Sequence, residues 1–177
     1  SLLPTWLGPI GRMYYFWKSD LSKEEKIQRK ELFGKFSDAF RPVKPFNCIL
    51  PSGKKIIELP VTTIPLFKTP FHLSYLIYLS RYSVALMHSY LTAAILMCKI
   101  TGTSPSFLLH PLDLIGGDQL ECLKFFPGMD MSSSKKTTVF KTVIKRLQTN
   151  FEFTGLNYHI AQLCQKGIQK EKTYESV

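Results

Sequence analysis

His110 is the side chain of this sequence best placed to move a proton. His110 closes the apolar run Ser106-Phe107-Leu108-Leu109 and is followed at once by Pro111, Leu112 and Asp113. An imidazole changes charge near neutral pH, so it suits proton transfer to or from a reacting group. Asp113 is the nearest carboxylate and is spaced to orient the ring, although a helix cap or a surface salt bridge would need the same residue. A histidine at the end of an apolar run also serves commonly as a hydrogen-bonded structural residue.

The remaining candidates carry less. His72 and His88 stand in apolar helical surroundings, where core or interfacial histidines are the ordinary case, and His159 opens a terminal helix without partners. No two of the four histidines have the spacing of a metal-ligand pair. The four cysteines, Cys48, Cys98, Cys122 and Cys164, lie far apart with no Cys-x-x-Cys pair. They read as free thiols in a reducing compartment rather than a disulfide framework.

What must position His110 is a strand. The run 106–110 is short and apolar, with Gly102 and Pro105 before it and Gly116-Gly117 after it, which is the pattern of a buried strand. Pro111 cannot extend a ladder, so the strand ends near His110 and delivers the ring to the rim of a sheet. Upstream, 46–50 and 55–61 read as a hairpin around the turn Pro51-Ser52-Gly53. Glu58, Pro60 and Thr62 then share one face by period two. Two helices come next, over 72–79 and 84–99, with Gly102 as the stop. In the second, Met87, Leu91, Ala94, Ile95 and Cys98 form one stripe, widened by Leu86, Tyr90 and Met97.

After a long loop over 116–131, Ser132-Ser133-Ser134 caps a helix whose inner face is Val139, Phe140, Val143, Ile144 and Leu147. A short strand at 151–153 and a last helix capped by Asn157, carrying Ile160 and Leu163, complete the chain before a polar tail from Gln165. Near the start, an aromatic, Pro/Gly-punctuated stretch over 1–17 reads as a loop with a short helix. The capping box Ser22-x-x-Glu25 opens a polar helix over 23–33 that stops at Gly34.

Composition bounds the possibilities. Hydrophobic residues are 45% and aromatics 13%, enough for a packed core rather than disorder. The net charge of +10 comes from dispersed lysines and arginines. Helix-spaced lysines are usually a solvated face, with an anionic membrane surface as the functional alternative. No RNP-like, helix-turn-helix or zinc-finger signature points to nucleic acid. The most apolar window, 84–98, is shorter than the roughly 20 residues of a spanning helix. It reads as a buried helix, or as one lying in the plane of a membrane.

The block around His110 resembles the last motif of the NodB-homology polysaccharide deacetylases, a Leu-x-His at the end of a barrel strand, here Leu108-Leu109-His110. Leu112-Asp113-Leu114, Gly116-Gly117-Asp118 and Phe125-Phe126-Pro127-Gly128-Met129 are similar to the segment just after that motif in one bacterial branch of the family. Glu58-Leu59-Pro60-Val61-Thr62-Thr63 resembles the preceding strand motif. Leu3-Pro4-Thr5 and Gly8-Pro9-Ile10, with Arg12, Tyr14 and Tyr15, resemble the stretch after the third motif.

The resemblance implies an α/β fold, the C-terminal half of a distorted (β/α)7 barrel over 1–165, with 166–177 a polar tail. It implies a metal-dependent N-deacetylase or deformylase that hydrolyses the N-acyl amide of an amino sugar in a cell-envelope or lipid-linked glycan. His110 would be the general acid, Leu108 would line the acyl pocket, and Glu58 and Asp113 would contact the acid or the sugar. The family's adjacent Asp pair, its His-x3-His or His-x4-His pair and its Arg-x-Pro motif are not in this sequence. The divalent metal, zinc in most such enzymes, would therefore belong to a complete parent with the missing N-terminal half, and none is expected in this chain alone. The partners implied are an N-acylated glycan or glycolipid and possible membrane-surface contact, not nucleic acid, in a cytoplasmic or membrane-associated bacterial setting. The alternative is a non-catalytic basic protein that uses the apolar helices at 71–99 on a membrane or a protein partner.

Overall fold

A computed structural model describes residues 42–124, 128–168 and 171–173. The expected helix over 23–33, its capping box, the aromatic stretch over 1–17 and the aromatic turn Phe125-Phe126-Pro127 lie outside the described residues.

The elements in chain order are β1 (Phe46–Ile49), β2 (Lys55–Glu58), α1 (Leu73–Tyr82), α2 (Val84–Ile100), short 3-10 turns at Pro111–Asp113 and Glu121–Leu123, α3 (Ser133–Asn150), α4 (Leu156–Lys166) and β3 (Glu171–Thr173). The hairpin forms as the turn residues imply. β1 and β2 pair antiparallel with Cys48 opposite Ile56, and Gly53 supplies the left-handed turn position at φ 77°. β3 then returns to the other edge of β1 in parallel, giving the order β2-β1-β3. Part of the polar tail is thus drawn into the sheet. Its Glu171–Thr173 segment satisfies the open edge of β1, and Lys55 pairs with Glu171 at 2.7 Å across the sheet.

The core lies among α1, α2 and α3. Leu73, Leu76 and Ile77 face Met87, Leu91, Ala94 and Cys98, with Val139, Val143 and Leu147 closing the third side. The residues of each helix recur at three- and four-residue spacing, the period that puts them on one stripe. Burying a leucine or methionine this fully contributes about 1.5–3 kcal/mol each. Ser83 separates α1 from α2 and caps the second, its Oγ accepting the Leu86 N–H at 3.3 Å. Gly102, at φ 58°, ends α2 as expected, and Thr103 N–H then reaches back to Cys98 O at 2.8 Å. Ser132 caps α3 through the Lys135 N–H. The last helix departs from expectation: it begins one residue before Asn157, with Gly155 at the N-cap.

Two expected strands are extended chain without a ladder. Residues 103–110 and 151–153 join no sheet among the described residues. The first still has half of a strand's bonding. Ser106 exchanges bonds with Thr62, and Leu108 O accepts the Leu73 N–H at 3.3 Å, so alternate residues are satisfied on one side only. A ladder needs a neighbouring strand with free groups in register. Here the neighbours are one threonine and a helix N-terminus.

Between the hairpin and α1 the chain makes a tight loop. The Thr63–Pro70 bridge closes it, and Leu66 (φ 69°) and Lys68 (φ 52°) both adopt left-handed backbone. Such conformations cost a non-glycine residue about 1–2 kcal/mol each.

Candidate functional site

Pro111 fixes the geometry around His110. His110 is extended, at φ −108° and ψ 149°, and Pro111 then starts a single 3-10 turn that brings Asp113 back under the ring. The Asp113 carboxylate is nearly fully buried and both of its oxygens are engaged. Oδ2 accepts the His110 backbone N–H at 2.8 Å, and Oδ1 accepts the hydroxyl of Ser74 at 2.6 Å. Ser74 lies in the first turn of α1, and its Oγ is also 3.0 Å from His110 Nδ1.

The order of these bonds fixes the tautomer. An ionised carboxylate only accepts, so the Ser74 proton points to Asp113. The Ser74 oxygen is then free to accept, and the donor facing it is the Nδ1–H of His110. The direct approach of Nδ1 to Asp113 Oδ2 is longer, at 3.6 Å. The chain Asp113, Ser74, His110 therefore holds a proton on Nδ1 and leaves Nε2 as the exchanging atom. The His110 side chain is 51% exposed, so an incoming group can reach it.

His72 forms the other wall. Its ring meets that of His110 edge to face, with centroids 5.9 Å apart. Its Nδ1 is buried with no hydrogen-bond partner among the described residues. Burial lowers the His72 pKa below the usual histidine value, and the neighbouring His110 adds to this, while Asp113 opposes it. Burial thus favours the neutral form of the His72 ring that packs against His110.

Beneath the site a lysine organises the loop. Lys136, on the inner face of α3, is 2% exposed, and its Nζ donates to Leu112 O at 2.8 Å and Ile115 O at 2.7 Å, with Met129 Sδ at 3.5 Å. Burial lowers its pKa, and the charges of Asp113, Asp130 and Asp118 oppose that shift. Gly116 and Gly117 let the loop pass this close. A Cβ on Gly116 would collide with Ser133 N and Met131 O, and one on Gly117 with Met129 O. Asp118 then takes the Ser133 N–H and Oγ–H, each at 2.9 Å, at the start of α3.

Of the residues named from sequence, His110 and Asp113 are brought together. Leu108 is half-buried and alternates with His110 on one side of the extended segment. Glu58 ends β2 opposite Phe46. Sequence reasoning misses Ser74 and Lys136. Ser74 is 36 positions from His110, with no local signal beyond a polar residue in an apolar helix start. Lys136 looks like one more of the dispersed basic residues, although it precedes Val139, Val143 and Leu147 on the same stripe. His88 is tied to Arg146, whose Nη1 lies 3.3 Å from His88 Nδ1, as an interfacial residue.

A cleft of about 470 Å³ lies elsewhere, lined by Phe107, Phe151, Phe153, Leu156 and His159 among others. It includes none of His110, Leu108, Glu58 or Asp113, so the polar cluster around His110 and this cleft are separate features. Among the described residues no three His, Cys, Asp or Glu side chains converge as a metal-binding group, and no helix is long and apolar enough to cross a membrane. Comparison with protein-family models, with curated proteins and with solved structures found no match.

Proposed function

We propose that the chain is the C-terminal part of a carbohydrate N-deacetylase or deformylase domain of NodB-homology type. In this reading it hydrolyses the N-acyl amide of an amino sugar in a glycan or glycolipid, and His110 is the general acid. The observation that carries the reading is the Asp113–Ser74–His110 hydrogen-bond chain at the end of Leu108-Leu109-His110. A general acid needs one ring nitrogen held and the other presented, and this chain leaves Nε2 for the reaction.

In the proposed step water adds to the acyl carbon as a base, which the reading places outside the described residues, takes its proton, and the C–N bond breaks to leave the carboxylic acid. Imidazolium Nε2–H gives its proton to the departing nitrogen, which leaves as the amine. Asp113 and Ser74 keep the Nδ1 proton in place throughout, so the ring does not rotate as it loses charge. Leu108, on the same side of the segment, would take the acyl methyl, and Glu58 the sugar. The described residues do not fit the divalent metal such enzymes use, so the reading assigns that metal to residues outside them and no step is routed through it. The half-barrel belongs to the same reading. The bonds between Thr62 and Ser106 join one residue of each of the segments 59–63 and 106–110, without a ladder between them.

The test is acetate or formate release from N-acylated amino-sugar oligosaccharides and glycolipids by the product of the longest open reading frame that contains this sequence, assayed with added zinc. Release that falls sharply in His110→Ala supports the reading. An intact, metal-loaded product with no hydrolysis of any N-acyl sugar overturns it.

A further inference from the structure

The loop over 64–69 holds two large apolar side chains away from the core. Leu66 is 76% exposed, the most exposed large hydrophobic among the described residues, and Phe67 beside it is 63% exposed. The loop is anchored at its base. Ile64 is buried, Ile64 N–H bonds Thr69 O at 2.9 Å, and Lys68 N–H bonds Ile64 O at 2.8 Å. Left-handed backbone at Leu66 and Lys68 is what turns the tip outward. Glycine would make this turn without strain, yet the chain carries leucine and lysine there. Strain kept for no gain in packing points to a role for the tip itself.

The loop is also pinned beside an apolar helix flank. Tyr90 of α2 donates its hydroxyl to Pro70 O at 2.6 Å. Leu86, Tyr90, Ala93, Met97 and Ile100 recur along α2 at four- and three-residue steps, so they form one stripe. Leu86, Ala93 and Ile100 of that stripe are exposed, Ile100 at 70%. α3 packs on a different flank, where Arg146 bonds His88 O and Thr92. The exposed stripe is thus on the side of α2 that α3 leaves open, and Tyr90 ties the base of the loop to that helix.

We propose that Leu66 and Phe67 insert into an anionic lipid bilayer, with the Leu86–Ile100 stripe of α2 lying along its surface. Two adjacent bulky side chains on a fixed turn match the shallow apolar boundary of a bilayer. Charge selects the lipid: the chain carries +10, and Lys44 caps Thr101 O at the end of α2, next to Ile100. Attachment is peripheral, because no described helix is long and apolar enough to span. The proposal stands apart from the deacetylase reading, since it needs no turnover.

The experiment is sedimentation of the full 177-residue chain with vesicles of phosphatidylcholine, with and without one quarter phosphatidylglycerol. The wild type should bind the anionic vesicles at least tenfold better than the neutral ones. Leu66→Gly with Phe67→Ser should weaken that binding about 100-fold or more, as expected for losing two inserted apolar side chains. Leu66→Gly alone keeps the proposal testable if the double variant misfolds. It should reduce vesicle binding while the melting temperature stays level or rises, because glycine accepts the backbone at φ 69°. Absence of wild-type binding, or equal binding by both variants, overturns the proposal. So does a wild-type dimer in solution that these variants turn into monomer, because the face would then meet a second copy of the chain.

Discussion

Ser74 Oγ lies 3.0 Å from His110 Nδ1, so the ring proposed to do the chemistry is oriented by a helix 36 positions upstream. The same oxygen gives its proton to Asp113 at 2.6 Å. One hydroxyl therefore decides which nitrogen of His110 faces outward. Its removal leaves Asp113 with an unpaired buried oxygen and His110 with an unheld ring.

The first prediction separates these roles. In the complete enzyme, His110→Ala should lower turnover on an N-acetylated sugar by about 10²–10⁴-fold, the usual cost of losing a positioned acid. It should leave metal content unchanged and remove the basic limb of the pH–rate profile. Ser74→Ala should keep the limb but lower turnover less, roughly tenfold, because the acid remains and only its orientation is lost. Full activity and an unchanged pH profile in His110→Gln would make the residue structural.

A second prediction concerns the buried lysine. Lys136→Met fills much the same volume but abandons the carbonyls of Leu112 and Ile115. Leaving two part-buried acceptors unmade costs about 1–3 kcal/mol. Urea unfolding should show that loss as a lower midpoint at unchanged slope. Lys141→Met, on the exposed side of the same helix, should change stability by less than about 0.5 kcal/mol.

The helices could be read because their evidence is local. Met87, Leu91, Ala94 and Cys98 announce their stripe by spacing, and Gly102 and Ser132 mark their ends. The strands were harder because a ladder depends on a distant partner. The run to His110 has strand composition, yet its neighbours are a threonine and the N-terminus of α1, so it stays extended without a sheet. β3 shows the converse, a polar segment recruited by the open edge of β1. Within the candidate site, the His110–Asp113 pair was legible from Pro111 and the three-residue spacing. Ser74 was not, since nothing near His110 in sequence encodes a contact made by folding α1 against it.

The third prediction uses the thiols. Cys48 and Cys98 are buried, and burial pushes the Cys98 thiol up to about 11, whereas Cys122 and Cys164 are exposed. A thiolate is the reactive form. An aromatic disulfide reagent at pH 8 should therefore titrate two thiols quickly and the other two only after denaturation. Fast reaction of Cys98 in the native chain would mean that the interface between α1 and α2 opens readily.

The last prediction rests on His72. Burial against His110 lowers its pKa below the unfolded value of 6.5. In that situation the unfolded chain binds the proton more readily than the native one. Above pH 6.5 neither state is protonated at this residue, so His72 then adds no pH dependence. As the pH falls below that value, the unfolded state gains a proton that the native state refuses, and stability declines until the lowered native pKa is passed. His72 should thus make the fold acid-sensitive from about pH 6.5 downward, with less than one proton taken up on unfolding. His72→Phe keeps an aromatic plate against His110 and cannot titrate. Chemical denaturation across pH 4.5 to 7.5 should show a shallower acid decline in that variant, while the curves converge in slope near neutrality. Parallel curves for the two proteins throughout would mean that His72 is protonated as freely in the native state as in the unfolded one. The buried Nδ1 beside His110, without a partner among the described residues, argues against that outcome, because a proton there would find no acceptor.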